Sequence, residues 1–184
     1  MIKSCKSNST EKLSAHFSAS EMRCKCGGTH DTKVDMALIE KLEKLRETLG
    51  CSKIIVNSGY RCPAHDKNVG GSGSGQHTKG TAADIVCYDG KGRVISSRIV
   101  CCAAQELGFT GIANIDSTYT ATHVDVRAGK WFGDETKGSN YGIPEGDFFK
   151  HFGLSKKDVY GVRTLKIQSI TIDGVTYTGT LTED

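Results

Sequence analysis

KIIVNSGYRCPAHDKNVGGSGSGQHTKGTAADIVCYD, residues 53–89, is the stretch whose reading decides the fold. It opens on Ile54-Ile55-Val56, β-branched residues in a row, which read as a buried strand running into a Ser58-Gly59 turn. It closes on Ala82–Tyr88, which reads as a second strand with Asp84 near its start. Between the two lie Gly70, Gly71, Gly73 and Gly75, a composition that by itself suggests a flexible linker. A linker at this place would cut one core strand from the next. The segment therefore reads as a structured loop wrapped around a site.

Upstream, VDMALIEKLEKLRETLG (34–50) carries Val34, Leu38, Leu42 and Leu45 on one face with Ile39, and Glu40, Lys41, Lys44 and Glu47 on the other. This is an amphipathic helix starting after Lys33 and stopped by Gly50. Downstream, residues 93–108 read as a second amphipathic helix closed by Gly108, followed by strands in GFTGIANI (108–115) and TATHVDVRAG (120–129). In the last of these, Thr122, Val124 and Val126 face one way and His123, Asp125 and Arg127 the other. A buried strand does not carry three ionisable groups on one face unless they have partners. The fold class expected is α+β: a small, mainly antiparallel sheet, helices packed on one side, and the site built from these ionisable groups on the open face.

The 184 residues suggest one domain with a short appendage. Residues 1–15 are polar and expected to be loose. Residues 16–137 form the expected catalytic domain. Residues 138–184 form an expected C-terminal appendage of one helix and a β-hairpin, with Asp173-Gly174 as the turn signal. A chain ending near Ser139 is then expected to keep activity on soluble substrates.

A net charge of +3 is too small and too scattered to indicate a nucleic-acid partner. There is no apolar run near ~18 residues, so no membrane insertion is expected. No apolar segment of signal-peptide type is read at the N-terminus, so the chain is expected to be made in the cytoplasm. Composition says nothing about oligomeric state. On the same compartment argument the eight cysteines are expected to be reduced. Their spacings make no zinc ribbon, and Cys24-Lys25-Cys26, with one residue between, is poor for a tetrahedral knuckle.

A catalytic zinc takes three protein ligands and leaves one position open. His77 and Asp84, joined by a Gly80 turn that lets the chain double back, supply two, and His123 on a neighbouring strand supplies the third. The runs Ser58-Gly59-Tyr60-Arg61-Cys62-Pro63, Val69-Gly70-Gly71, His77 to Ile85 and His123-Val124-Asp125-Val126-Arg127 resemble the zinc D-Ala-D-Ala carboxypeptidases, with HFSASEMRCKCG (16–27) similar to the lead-in of one branch. That family includes the L-alanyl-D-glutamate endopeptidases of phage endolysins and shares its metal core with lysostaphin-type peptidases and the hedgehog domain. The resemblance spans roughly residues 16–132.

It implies a zinc metallopeptidase, a bacteriolytic hydrolase of the endolysin type that degrades cell wall by cutting peptidoglycan peptides after release from the cytoplasm. It implies His77, Asp84 and His123 as metal ligands. It also implies Arg61 as the group over the substrate, against a structural reading of Arg61 as the partner of an acid. The chain departs from the pattern twice. Gly75 stands where many members have Ser two residues before the first ligand, with Ser74 one place off. Thr120 stands where several branches place the catalytic acid, three residues before the last ligand. Asp125, beside His123, is the first substitute as base, with a role as the hydrogen-bond anchor of a ligand histidine equally open, and Asp116 is the second. If neither serves, the alternative is a metal-containing module that binds wall or protein without turnover. His16, His30 and His151 read as surface or structural, and His65 and Trp131 as possible cleft walls.

Overall fold

The computed structural model describes residues 1–138, 142–143 and 146–161, together with the backbone of strands at 164–172 and 175–182. In chain order the elements before the loop are β1 (Ile2–Cys5), α1 (Ala19–Met22), β2 (Thr32–Asp35), α2 (Met36–Thr48) and β3 (Lys53–Ser58). The loop itself holds α3 (Pro63–Asn68) and α4 (Gln76–Lys79), so it is structured as expected. Then come β4 (Ala82–Tyr88), α5 (Ser97–Glu106), β5 (Gly111–Asn114), β6 (Thr122–Asp125) and β7 (Trp131–Asp134). A 3-10 turn at Glu135–Lys137, α6 (Phe148–Phe152), α7 (Lys156–Tyr160), β8 (Thr164–Ile172) and β9 (Val175–Thr182) complete the chain.

The central sheet has the order β3-β4-β6-β5-β7. All its pairings are antiparallel except β5 with β7. The fold is thus α+β with a small, mainly antiparallel sheet. Period-two alternation sorts the faces. Ile54 and Val56 of β3, Ala83, Ile85 and Cys87 of β4, Ile112 of β5 and Val124 of β6 enter one apolar core. There they meet Leu38, Ile39, Leu42 and Leu45 of α2 and Val100, Cys101, Cys102, Ala103 and Ala104 of α5. Each such Leu or Ile contributes about 1.5–3 kcal/mol by leaving water. The opposite face carries Asp84 and His123.

The helix expected from Lys33 begins three residues later, at Met36. Asp35 is extended, and its side chain accepts from the Ala37 amide, a cap that fixes the boundary. Thr32–Asp35 is a strand because it has a partner: Ile2–Cys5 pairs with it antiparallel, Ile2 opposite Asp35 and Cys5 opposite Thr32. This corrects the expectation of a loose N-terminus. Polar composition hid a strand whose ladder lies more than 25 residues away. Residues 10–20 are likewise docked, with Leu13 and Phe17 in the core.

The boundary at residue 138 also needs correction. Ile143, Phe148 and Val159 belong to the same core as α5, so α6 and α7 are part of the main body. The Phe148 ring lies 5.1 Å from Phe132 and 5.7 Å from Phe152. Gln105 of α5 accepts from the Phe148 amide and donates to Asp147. Where one helix and a turn were expected at 145–160, two short helices stand, because Gly153 turns left-handed and Ser155 caps the second. β8 and β9 pair antiparallel with each other, Ile172 opposite Val175. The Asp173-Gly174 turn lies outside the described residues. Among the described residues no helix is long and apolar enough to cross a membrane.

Candidate metal centre

The site is made by three local decisions of the chain. Gly80 ends α4 with φ 77°, and a side chain there would run into the Lys33 carbonyl. Only glycine accepts both demands, and the reversal carries the chain from His77 on α4 straight into β4. Next, β4 and β6 pair in a register that sets Asp84 directly opposite His123. Finally, Asp84 and His123 fall on the face of the sheet opposite the α2 and α5 core, where α4 brings His77 to them.

His77, Asp84 and His123 converge, with one ligand atom from each within 4.8 Å of the other two. Asp84 Oδ1 lies 3.2 Å from His77 Nε2 and 2.9 Å from His123 Nδ1. Ligands bonded at about 2.0–2.1 Å to one tetrahedral zinc stand roughly 3.3 Å apart. Two imidazoles and a carboxylate at these separations therefore fit a zinc ion with a fourth position left open. The remaining nitrogens are committed elsewhere, as ligand histidines require. His77 Nδ1 is 2.7 Å from the Gly59 carbonyl, which makes it the donor and leaves Nε2 bare. His123 Nε2 is 3.1 Å from Asp125 Oδ2, which leaves Nδ1 bare.

The charges are balanced around this centre. Burial disfavours ionised Asp84, but the hydrogen bonds from His123 and His77 outweigh it and hold the carboxyl well below its usual range. Burial likewise disfavours a charged His123, yet Asp125 and Asp84 outweigh it and raise the imidazole to about 9 in the metal-free chain.

Arg61 reaches the site from the turn after β3. Its guanidinium meets Asp84 Oδ2 at 2.5 Å and Asp66 Oδ1 at 3.5 Å, and its Nε donates to Ser58 at 2.7 Å. It thus holds the outer oxygen of Asp84 while it lines the cleft. Asp66 was not singled out from the sequence. It is buried, and its carboxylate also accepts from the Gly73 amide, which closes the glycine-rich loop.

Asp125 is 0% exposed. Arg127 grips both its oxygens, and His123 takes one of them. Its neighbours across the ladder are Ala82 and Gly111, and the carboxylate lies so close over Gly111 that a Cβ there would strike it. Asp116 is spent as well. Its carboxylate accepts from the hydroxyls of Thr118 and Thr120 and the amides of Thr118, Thr120 and Ala121, a turn-forming cage.

The cleft over the metal centre is lined by Arg61, His77, Asp84, His123, Arg127, Trp131 and Glu135, among others, with the loop glycines Gly70 and Gly71 at its edge. Trp131 walls it, edge-on to His123 at 6.3 Å and under the Arg127 guanidinium at 4.8 Å. Glu135 is the lining carboxylate outside the ligand set. Burial, and then the charges of Asp84 and Asp116, raise its pKa. Sequence reasoning missed it because it lies on the 3-10 turn after β7, far along the chain from the ligands. Asp134 beside it is buried and anchored by Asn114 and by His151 of α6, at 3.0 and 2.9 Å. His151 is therefore structural. Neither Gly75, the N-cap of α4, nor Ser74 lines the cleft, and His65 is absent from it.

A family model described as Peptidase M15 matches residues 15–125, more than half of the chain. A search of curated proteins finds no match. The matched span contains all three converging residues and Arg61, and stops short of Glu135.

Proposed function

Because the chain belongs to the M15 peptidases, which are zinc-dependent, we propose that it hydrolyses a bond in peptidoglycan stem peptides, with His77, Asp84 and His123 as zinc ligands and Glu135 as general base. The observation that carries this reading is a single cleft holding the three-ligand set, a further carboxylate that accepts no hydrogen bond among the described residues, and two guanidinium groups.

Zinc bound there supplies Lewis acidity toward water and toward the scissile carbonyl. Glu135 takes the proton of the attacking water and passes it to the leaving amine, a role suited to a carboxyl of raised pKa. Arg61 and Arg127 supply the positive field for a substrate carboxylate and for charge that develops on the carbonyl oxygen. Stem peptides offer such carboxylates at their D-alanyl ends and on their D-glutamyl residues. Asp125 acts through His123: by accepting from Nε2 it fixes the tautomer that turns Nδ1 toward the metal. Trp131 shields the cleft from water on one side.

The likeness to the carboxypeptidases and endolysin peptidases supports an enzyme of the endolysin type, acting on the wall after release. Purified muropeptides digested with and without a chelator, read by mass, test the reading. Loss of terminal D-alanine marks a D-Ala-D-Ala carboxypeptidase, and separation at L-alanine marks an L-Ala-D-Glu endopeptidase. Glu135→Gln should keep zinc and lose at least ~10²-fold in turnover, by the usual size of acid–base effects. Thr120 at the usual acid position is what favours a second reading, a binding module. Zinc-loaded parent protein that binds wall fragments but releases no product from pH 5 to 9 would establish that reading instead.

A further inference from the structure

Three cysteines with no part in the hydrolytic cleft meet behind the turn that carries Arg61. Cys24 follows α1, Cys26 comes two residues later, and Cys62 caps the N-terminus of α3. Their sulfurs lie within 4.8 Å of one another. Each sulfur accepts a backbone amide: Cys24 from Cys62 at 3.3 Å, Cys26 from Gly28 at 3.3 Å, and Cys62 from His65 at 3.4 Å. A fourth donor stands beside them, His30 Nε2 at 3.0 Å from Cys26. The imidazole lies so close over Gly28 that a Cβ there would strike its Nε2. Cys24 and Cys62 are buried against Tyr60, while Cys26 and His30 face solvent.

We propose that Cys24, Cys26, His30 and Cys62 hold a second zinc ion, structural in kind. The three sulfurs already converge, and His30, in contact with Cys26, would complete a closed tetrahedral donor set by turning its ring inward, with no position left for substrate. The short Cys24-Lys25-Cys26 spacing counts against a knuckle only while all ligands are sought nearby. Here the fold supplies one from position 62. The ion would clasp residues 24–30 to the Gly59–Cys62 turn. That turn already receives the main chain of α1, with the Tyr60 amide donating to Met22. It also braces the catalytic side: Gly59 accepts from His77 Nδ1, and the Arg61 amide donates to the His77 carbonyl. The structural ion thus stands one turn behind the first catalytic ligand.

The test is metal counting on the full-length protein purified under reducing conditions and loaded with zinc or cobalt. Two zinc ions per chain are expected. Cys26→Ser/His30→Ala, which alters only the two solvent-facing donors, should fall to one ion, and His77→Ala/His123→Ala should also fall to one. Cobalt-loaded parent should show thiolate-to-metal charge-transfer absorption, kept in the His77/His123 variant and lost in the Cys26/His30 variant. Parent protein with one zinc and no such band, or with a Cys24–Cys62 disulfide in place of free thiols, overturns the proposal. The cobalt spectrum of the parent decides even if a variant fails to fold. Failure of the catalytic assignment would look different: thiolate absorption intact, with the His77/His123 variant still holding both ions.

Discussion

Replacing Phe148 by alanine asks whether residues beyond 138 are an appendage or part of the catalytic body. Phe148 is 0% exposed, lies between Phe132 and Phe152, and starts the helix whose His151 anchors Asp134. A Phe→Ala change at such a site removes the transfer energy of the ring and leaves a cavity, together about 3–5 kcal/mol. For a chain of this size, roughly 2–4 °C per kcal/mol translates that into about 6–20 °C of unfolding temperature. The zinc-loaded variant should be compared with the parent by calorimetry, beside two truncations. A chain ending at Gly161 should unfold near the parent temperature. A chain ending at Gly138 loses Phe148, Val159 and the His151 anchor together, and should lose both cooperative unfolding and turnover on soluble muropeptides. If Phe148→Ala costs less than ~1 kcal/mol, a value typical of surface changes, or if the 1–138 chain hydrolyses soluble peptides at the parent rate, the packing argument is wrong and a peptidase domain ending at 137 stands.

Asp125→Asn should weaken zinc binding by about 10–100-fold, with activity recovered at excess zinc, because it loosens a ligand and removes no base; loss of turnover at full zinc occupancy would make Asp125 the base after all. The pH profile of kcat/KM should carry an acid limb above the ordinary carboxylate range, since Glu135 is raised and must be ionised to accept a proton: activity is present above its pKa and lost as pH falls through it. Glu135→Gln should abolish that limb, and a limb unchanged in the variant would assign it elsewhere. Asp116→Ala should lower stability by about 1–3 kcal/mol through the lost turn bonds and leave turnover per folded molecule intact. This contribution is present above the unfolded carboxyl pKa and fades as pH falls through the depressed folded one.

Much of the fold was legible because periodicity is local. The β3 and β4 strands, the α2 and α5 helices and the placing of His123 and Asp125 on one strand face all follow from alternation or helical spacing within a few residues. The converging triad was legible too, since Gly80 marks the reversal between His77 and β4. What escaped was long-range. Nothing near Ile2–Cys5 announces a partner at Thr32–Asp35. Nothing near Phe148 says that its ring completes the core under α5. Glu135 gave no signal because a lone acid in a polar turn is ordinary, and only the β5–β7 pairing brings it to the cleft. Cys62 was read with its chain neighbours, while its chemical neighbours are Cys24 and Cys26.

The order β4-β6-β5 has a consequence for how the protein matures. β5 is synthesised before β6, yet β6 lies between it and β4. Until β6 is paired with β4, the metal centre has only the two ligands flanking Gly80. Because Asp84 faces His123 across the ladder, a slip of one residue would turn His123 to the apolar side and remove the third ligand. Strand register and the ligand set therefore stand or fall together. A chain with these strands misaligned would offer two of the three ligands and lose the geometry that fits an ion.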